Sequence, residues 1–309
     1  MKVLVTGGAG YIGSILVPNL IENGHEVTVF DNFCYNQNSL NHYCHRKELN
    51  IIRGDICDYS LLKEIIKKND VIIPLAGIVG APACDKNLKL ARITNIDAQF
   101  NIIDNCSRDQ LIIYPNTNSG YGIGSKDSYC DENSPLNPIS EYGKMKCAVE
   151  EKVKEKENFV IFRLATVFGS SPRMRLDLLV NDFVYKAYID SYLVLFEENF
   201  RRNYIHVRDV SSAFIASINN KKMLGEIYNL GLSSANLTKK ELALNIKKYL
   251  PNLEIQSAPL AKDPDKRDYL VSNKKIENTG WQPSFSLDNG IIELIKLYKY
   301  LNQGNLTNK

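Results

Sequence analysis

The stretch KVLVTGGAGYIGS, from Lys2 to Ser14, decides the fold. Apolar and β-branched residues lead into a turn whose glycines stand at positions 7, 10 and 13. This G-x-x-G-x-x-G spacing lies between a predicted strand and a predicted helix. Residues without a Cβ allow the tight turn, the approach of a pyrophosphate to the backbone and the packing of the helix on the sheet. Gly7, Gly10 and Gly13 therefore predict a dinucleotide-binding turn, with phosphates at the helix N-terminus.

Two acidic residues follow at the ends of the next predicted strands. Asp31 comes directly after the strand EVTVF, and Asn32 and Phe33 follow it without an Arg. A carboxylate at this place bonds the ribose hydroxyls and repels a 2′-phosphate, so NAD is predicted rather than NADP. Asp55, in GDICD, follows the third strand, where the adenine is expected, and we predict that it contacts the adenine.

Outward from the turn, apolar runs alternate with amphipathic stretches. The predicted strands are Lys2–Thr6, Glu26–Phe30, Leu49–Arg53, Asp70–Leu75, Leu111–Tyr114 and Phe159–Leu164. The predicted helices are Ile12–Asn23, Tyr59–Lys68, Leu88–Ser107 and Glu141–Glu157. Strands with nearly continuous apolar character are typical of strands buried on both faces. The alternation predicts an α/β fold with a Rossmann-type, doubly wound parallel sheet.

The pattern changes after Gly169. Residues 1–169 are predicted to form an NAD-binding Rossmann domain, to which residues 203–232 return. Residues 170–202 and 233–309 are predicted to form a smaller C-terminal α/β domain that binds substrate. It is expected to contain a helix at Arg173–Tyr188 and a last helix at Leu287–Leu301.

Composition excludes several classes of function. The chain has 309 residues, of which 44% are hydrophobic and 24% charged, and a net charge of +3. Its basic residues are scattered, so no nucleic-acid partner is expected. No apolar run is long enough to span a membrane and no signal peptide is recognisable. The seven cysteines form no C-x-x-C pair and the four histidines lack metal-ligand spacing, so we expect a cytoplasmic protein without a metal.

Candidate catalytic groups lie in two runs. IYPNTNSGYG, from Ile113 to Gly122, leaves a strand with the hydroxyl side chains of Thr117, Ser119 and Tyr121. SEYGKMKCAVEE places Tyr142 and Lys146 four residues apart, on one face of a predicted helix. A free Tyr has a pKa of about 10, whereas a base for alcohol oxidation works best near 7. A neighbouring ammonium and a positive nicotinamide ring can supply this difference of roughly 3 units, about 4 kcal/mol.

At this point the chain resembles the extended short-chain dehydrogenase/reductase family, whose members act on nucleotide sugars. The resemblance spans nearly the whole chain. It is carried by TGGAGYIG (Thr6–Gly13), YGKMK (Tyr142–Lys146), RLATVFG (Arg163–Gly169), NYIHVRDV (Asn203–Val210) and VSNKKIENTGW (Val271–Trp281). It implies an enzyme that uses NAD and takes a nucleoside-diphosphate sugar as its partner.

The resemblance also implies the roles of individual residues. Tyr142 is the acid/base, Lys146 holds the ribose and depresses the pKa of Tyr142, and Thr117 bonds the hydroxyl that is oxidised. The other expected cofactor-binding residues are Tyr11, Ile12, Asn32, Ile56, Leu75, Ala76, Gly77, Asn95 and Thr166. The expected substrate-binding residues are Asn118, Ser119, Asn181, Arg202, Arg208 and Arg267. The three arginines are expected at the diphosphate, because a guanidinium group binds phosphate oxygens through pairs of hydrogen bonds.

Several runs are most similar to family members that oxidise C4 of GDP-D-glycero-α-D-manno-heptose for surface polysaccharide. These runs are Ile72–Cys84, Tyr114–Gly124, Arg173–Phe183 and Leu230–Lys239. They favour a C4 dehydrogenase that releases a 4-keto sugar. The alternatives are a nucleotide-sugar 4-epimerase, which uses the same catalytic residues, and a catalytically silent NAD-sensing protein. A homodimer is expected, formed by the helices at Leu88–Ser107 and Glu141–Glu157.

Other reactions of the family are disfavoured. Members that eliminate water carry an Asp-Glu pair directly after the catalytic hydroxyl, where this chain has Asn118 and Ser119. Neither side chain can act as the acid and base of 4,6-dehydration. Cys84 and Cys147 are candidates for 3,5-epimerisation, but Cys147 follows Lys146 directly and is expected to point away from the pocket.

Overall fold

The computed structural model describes residues 1–124, 128–258 and 267–301. Its strands are β1 (Lys2–Thr6), β2 (Glu26–Asp31), β3 (Leu49–Arg53), β4 (Val71–Pro74), β5 (Leu111–Thr117), β6 (Tyr129–Cys130), β7 (Phe159–Leu164), β8 (Thr166–Phe168), β9 (Tyr192–Leu195), β10 (Arg201–His206), β11 (Glu226–Leu230), β12 (Asn236–Thr238), β13 (Glu254–Ser257) and β14 (Leu270–Val271). Its α-helices are α1 (Gly13–Glu22), α2 (Tyr59–Ile66), α3 (Ala81–Lys86), α4 (Leu88–Arg92), α5 (Ala98–Asn105), α6 (Glu141–Val153), α7 (Leu179–Ile189), α8 (Val207–Asn219), α9 (Lys239–Lys247), α10 (Lys274–Glu277) and α11 (Leu287–Tyr298).

A seven-stranded sheet forms the centre of the molecule, in the order β11-β7-β5-β4-β1-β2-β3. Every neighbouring pair in it is parallel. All residues of β4 and β7 are buried, and all of them except Arg163 are apolar, as is typical of strands covered on both faces. The predicted doubly wound parallel sheet is confirmed. The chain reverses its direction of winding between β1 and β4, where folds of this kind bind their cofactor.

β5 is longer than its apolar run predicted. The prediction ended the strand at Tyr114, but the strand continues to Thr117, because Asn116 and Thr117 pair with Arg163 and Leu164 of β7. The polar residues that looked like a loop thus lie within the sheet. Thr117 is the last residue of the strand, and a short 3₁₀ turn begins at Asn118.

The helix predicted at Leu88–Ser107 is interrupted. Between α4 and α5 the residues Ile93–Asp97 form a π-turn, which adds a residue to the helical turn. Asn95 lies in this π-turn and is buried. Such bulges occur frequently at functional sites, and this one directs the amide of Asn95 to the loop after β4.

The later part of the chain builds three small sheets, β12-β10-β8, β13-β9 and β14-β6. The helix predicted at Arg173–Tyr188 begins only at Leu179. The chain before it is not helical, since Leu178 has the extended backbone angles φ −79° and ψ 134°. The carbonyl of Arg175 accepts a hydrogen bond from the side chain of Asn181 at 2.9 Å. β11 lies in the central sheet, whereas β10 pairs with β8 and β12, and the division into two domains stays a prediction. Across the ranges that the structure describes, no helix is both long and apolar enough to cross a membrane.

Candidate active site

The glycine turn after β1 is held close to the loop that follows β4. Gly7 has a φ of +67°, and a Cβ at this position would lie 2.7 Å from the Cα and N atoms of Ala76. A Cβ on Gly13 would lie 2.5 Å from the carbonyl oxygen of Gly8. Gly10 donates its N–H to the carbonyl of Gly7 at 3.0 Å. The turn therefore requires glycine at its first and last positions for steric reasons.

Helix α1 leaves this turn with its N-terminus uncapped by any side chain of the described residues. Its first turn also contains no acidic residue. The first N–H groups of a helix have no intrahelical acceptor and carry a partial positive charge. The turn and this helix end fit the pyrophosphate of a dinucleotide.

Asp31 ends β2 beside the turn and is 6% exposed. Its carboxylate accepts the N–H of Ala9 at 3.0 Å and the N–H of Phe33 at 2.8 Å, and Gln37 Nε2 lies 3.2 Å away. Burial raises the pKa of this carboxyl, and the two backbone N–H groups act in the opposite direction. An ionised carboxylate has about four acceptor sites, so Asp31 keeps capacity for a ribose hydroxyl.

The residues predicted to meet the adenine lie together after β3. Asn32 Nδ2 donates to Asp55 Oδ2 at 3.1 Å, and Asp55 Oδ1 accepts the N–H of Cys57 at 2.9 Å. The Cys57 bond is the main cause that lowers the pKa of Asp55. Ile56 is buried at 5% exposure. Asp55 is thus an ionised group next to Asn32 at the edge of the predicted cofactor site.

A small cavity connects the loop after β4 with helix α6. It is lined by Leu75, Ala76, Gly77, Ile78, Val79, Asn95, Gln99, Tyr142 and Lys146. Asn95 accepts the N–H of Ile78 and donates to its carbonyl, both at 2.8 Å, and Gln99 donates to the carbonyl of Ala76 at 2.8 Å. These amides hold the loop in place without a charge. The fold therefore brings four of the predicted cofactor residues into one cavity with both predicted catalytic residues of α6.

Tyr142 and Lys146 lie one helical turn apart on α6, whose N-terminus is capped by Ser140. Burial raises the pKa of Tyr142 to about 12, and the positive charges of Arg175 and Arg267 act in the opposite direction. Burial lowers the pKa of Lys146 to about 7, while Cys147 and Glu150 oppose this change. The Lys146 ammonium lies 4.1 Å from the centre of the Tyr114 ring.

Thr117 ends β5 and caps the turn after it. Its Oγ1 accepts the N–H of Ser119 at 3.1 Å and lies 2.9 Å from Ser119 Oγ. Asn118 is 1% exposed, and neither Oδ1 nor Nδ2 of its side chain has a hydrogen-bond partner among the described residues. A buried amide without partners is costly and indicates a group that a ligand completes.

Of the predicted substrate arginines, Arg267 is half-buried against this turn and Arg202 is buried. Arg267 contacts the hydroxyl of Ser119 through its guanidinium. Arg202 is 2% exposed, donates to the carbonyl of Arg201 at 3.0 Å and lies 6.0 Å from the Tyr269 ring centre. Neither residue is a solvated surface charge, and the positive charge of Arg267 reaches Tyr142.

Asn181 and Arg208 have other surroundings. Asn181 is fully buried, accepts the N–H of Gly169 at 3.0 Å and donates to Arg175 O and to the hydroxyl of Tyr11. Its amide is therefore used within the fold, which weakens the expectation of a phosphate contact. Arg208 lies on the exposed side of α8, and its nearest described carboxylate is Glu293 at 3.7 Å. The structure does not bring it to Ser119.

Two further predicted cofactor residues join the sheet and the turn to other segments. Tyr11 donates its hydroxyl to the carbonyl of Gly169 at 2.7 Å. Thr166 begins β8, is half-buried and pairs with Tyr204 of β10. These positions agree with a site between the glycine turn and β8, while the cofactor roles of both residues stay predictions.

Arg175 was missed by reasoning from the sequence. The sequence placed Arg175 only in a predicted helix, but in the structure its positive charge acts on the hydroxyls of both Tyr142 and Tyr11. It forms an ion pair with Asp177. No spacing in the sequence links residue 175 to residue 142, so only the fold could reveal this neighbour.

A model of the NAD dependent epimerase/dehydratase family matches residues 3–231, which is more than half of the chain. The chain belongs to the NAD dependent epimerase/dehydratase family. The resemblance to extended short-chain dehydrogenases/reductases is thus confirmed at the level of the family. The protein is an NAD-dependent enzyme of a family that acts on nucleotide sugars.

Relatives in this family align over nearly the whole chain. A putative UDP-glucose 4-epimerase from Methanocaldococcus jannaschii is 28% identical, over 97% of this chain and 99% of its own length. A dTDP-D-glucose 4,6-dehydratase from Mus musculus is 27% identical, over 96% of this chain and 88% of its own. The solved structure of UDP-glucuronic acid 4-epimerase from Bacillus cereus, in complex with UDP-glucuronic acid and NAD, has a TM-score of 0.86 at 24% identity. It covers 98% of this chain and 100% of its own, and it shows the shared fold.

Proposed function

We propose that the enzyme oxidises C4 of a nucleoside-diphosphate sugar with NAD and then returns the hydride to the opposite face, as a 4-epimerase. The observation that carries this proposal is the shared cavity of Tyr142, Lys146 and the loop after β4. A relative named as a putative UDP-glucose 4-epimerase supports the second half of the reaction.

In this proposal three side chains handle the proton at the C4 oxygen. Thr117 bonds the C4 hydroxyl and holds it toward Tyr142. The tyrosinate of Tyr142 takes the hydroxyl proton as the C4 carbonyl forms, and returns it when the alcohol forms again. Lys146 supplies the positive charge that stabilises the tyrosinate. NAD, when bound, supplies the hydride acceptor.

The electrostatics of the site define how far the pKa of Tyr142 has to fall. Its value of about 12 in the protein alone is far above the neutral range. A fall from about 12 to about 7 corresponds to roughly 7 kcal/mol. The value of about 12 already includes the positive charges of Arg175 and Arg267. The further fall has to come from the Lys146 ammonium and, when NAD is bound, from the positive nicotinamide ring, since an opposite charge within about 4–6 Å lowers such a pKa by roughly 1–3 units.

Elimination of water is not part of this proposal. The turn after Thr117 presents an amide and a hydroxyl, from Asn118 and Ser119, which do not act as a general acid and base near neutral pH. The unpaired amide of Asn118 instead suits a neutral hydrogen bond to the sugar. Likeness to 4,6-dehydratases therefore extends to the fold and the first oxidation only.

The second candidate is a C4 dehydrogenase that releases the 4-keto sugar, with GDP-D-glycero-α-D-manno-heptose as substrate, for surface polysaccharide. One observation favours it. Cys84 belongs to a buried cluster against which Tyr142 packs, and the charge of Arg175 acts on Tyr142, so two further segments place side chains close to the predicted acid/base, as a site that restricts rotation of a keto sugar would need. The relatives described above are named for UDP- or dTDP-linked sugars and none for a GDP-linked sugar, so this candidate ranks after the 4-epimerase. The third possibility, an NAD-sensing protein without catalysis, has no reason to keep Tyr142, Lys146 and Thr117 together.

The test is incubation of the purified protein with nucleoside-diphosphate sugars that carry deuterium at C4, with UDP-, dTDP- and GDP-linked members. Nuclear magnetic resonance and mass spectrometry follow the sugar and the cofactor. A C4 epimer with deuterium back at C4 supports the 4-epimerase. A 4-keto sugar with deuterium on the reduced cofactor supports the dehydrogenase. Loss of the 6-hydroxyl as water, or no reaction with any sugar, would contradict both.

We also propose a homodimer, with the helices from Leu88 to Asn105 and α6 as its interface. Leu88 and Leu90 are each 48% exposed on α4, which fits an apolar contact. Light scattering after size-exclusion chromatography measures the mass directly. A monomer at micromolar concentration would contradict this proposal.

A further inference from the structure

A row of polar residues crosses three neighbouring strands of the central sheet, just below Thr117. Asn116 of β5 and Asn229 of β11 are both paired in register with Arg163 of β7. All three side chains are buried, at 2%, 0% and 4% exposure for Asn116, Asn229 and Arg163. Buried polar groups are retained only when they are bonded to each other or serve a function.

Glu150 completes this row from helix α6. Its side chain is fully buried, and its two carboxylate oxygens face Arg163, with Nη2 at 2.6 Å and Nε at 3.2 Å. Asn116 donates its amide to the same carboxylate and accepts the N–H of Thr117 at 2.8 Å. The carboxylate thus ties the helix of the predicted acid/base to the strand that ends in the predicted catalytic hydroxyl.

The same network explains Tyr121. Arg163 Nη1 donates to the Tyr121 hydroxyl at 3.0 Å and to the carbonyl of Glu132 at 3.0 Å. The Tyr121 hydroxyl lies 2.6 Å from Asn229 Oδ1, which can accept its proton. Tyr121 is 2% exposed and engaged in this network. It therefore supports the sheet, and Thr117 remains the hydroxyl of the run IYPNTNSGYG that ends the strand.

Tyr142, Lys146 and Glu150 follow one another at intervals of four residues, so they form one stripe along α6. We propose that Glu150 is a positioning residue of the active site, whose carboxylate keeps the Lys146 ammonium charged. The same carboxylate is bonded to Asn116, which also accepts the N–H of Thr117. The proposal rests on the proposed function for its catalytic meaning. Lys146 has to be positive to stabilise the tyrosinate, and burial among apolar groups works against that charge.

The groups that face Lys146 from the described elements are few. Tyr114 of β5 lies under the ammonium, Tyr142 and Cys147 are its neighbours on α6, and Glu150 is the carboxylate that acts on it. Arg163 of β7 is bound to Glu150 and offsets part of its charge. Burial lowers the pKa of Lys146 to about 7 even with Glu150 present. Loss of the carboxylate would leave Arg163 unbalanced and lower the pKa of Lys146 further.

The experiment is a pulse of acetic anhydride at a series of pH values, applied to protein without substrate, with mass spectrometry of the peptide that contains Lys146. Only the neutral amine reacts, so the labelling midpoint reports its protonation. In Glu150→Gln we expect the midpoint to fall by about one pH unit. Glu151→Gln is the matched control, because Glu151 is the next residue of the same helix but is exposed and pairs with Lys154. Its midpoint should equal that of the wild type.

Glu150→Gln leaves a buried arginine without its partner, so a second variant protects the test against misfolding. Glu150→Gln combined with Arg163→Met removes both charges, which proteins often tolerate. Its midpoint should also fall, but less than in the single variant. A wild-type midpoint in both Glu150 variants would overturn the proposal, even if turnover decreases. The labelling needs no activity, so failure of the proposed function, which would appear as no reaction with any sugar, leaves this result interpretable.

Discussion

The cofactor side and the substrate side of the site are built differently. On the cofactor side, the glycine turn contacts backbone atoms of Ala76 and Gly8, and Asp31 is bonded to two backbone N–H groups. On the substrate side, the amide of Asn118 is buried without a hydrogen-bond partner among the described residues. Both sides leave polar groups without partners among the described residues: the N-terminus of α1, which no side chain caps, and the buried Gln99 Oε1 on the cofactor side, and the buried amide of Asn118 on the substrate side. The difference is that contact with backbone atoms shapes the first side, whereas side chains shape the second.

The largest expected effect is at the place where the two sides meet. Tyr142→Phe should lower kcat by about 10²-fold or more, because a lost general base typically costs 10²–10⁴-fold. Cofactor content should stay near that of the wild type, since the turn and Asp31 are untouched. Turnover on the sugar that reacts in the deuterium experiment, with NAD released by denaturation and quantified, measures both. Activity close to wild type would place the acid/base elsewhere.

A glycine substitution probes the backbone contacts of the cofactor side. Gly7→Ala should lower the free energy of unfolding by about 1–3 kcal/mol more than Gly24→Ala, which is the usual range for overpacking. Both glycines have positive φ, +67° and +79°, but a Cβ at Gly24 would meet no described atom within 4 Å. The difference therefore isolates the contact with Ala76, and denaturant unfolding measures it. NAD affinity should fall in Gly7→Ala only. Equal stability losses would mean that the turn tolerates a side chain.

An asparagine substitution probes the unpaired amide on the substrate side. Asn118→Leu should leave the melting temperature unchanged or higher and raise KM for the sugar roughly fivefold, the value of one hydrogen bond of about 1 kcal/mol. Asn203→Leu is the matched control, because its amide donates to Leu232 O at 2.7 Å and Ala235 O at 3.2 Å. That variant should lose stability. If Asn118→Leu loses as much, Asn118 is structural and the contrast between the two sides fails.

The smallest effect is expected for Arg208. The sequence grouped it with the substrate arginines, but it is exposed and lies beside Glu293. Arg208→Ala should change the free energy of unfolding, and the binding free energy reflected in KM, by less than about 0.5 kcal/mol, as surface substitutions do. Steady-state kinetics with the same sugar measures it. A severalfold rise in KM would return Arg208 to the substrate side and enlarge the site beyond Ser119.

The sequence by itself determined the fold class and the family, and it predicted the cofactor side and the catalytic pair. The glycine spacing, Asp31 at the end of a strand and the interval from Tyr142 to Lys146 are local patterns, whose geometry follows from one turn or one helix. The parallel, doubly wound sheet followed from the alternation of strands and helices, and the structure confirms it. The family followed from the same motifs.

Only the tertiary structure decided what surrounds that pair. Arg267 meets Ser119 across 148 positions of sequence, and Arg175 reaches Tyr142 from a segment that looked helical. Glu150 could be read from the sequence only as one more charge on α6, yet it is fully buried, because Arg163 and Asn116 come to it from strands that the sheet sets side by side. Contacts of this kind depend on which strands are neighbours and on which side chains lack a partner. No interval along the chain encodes either property.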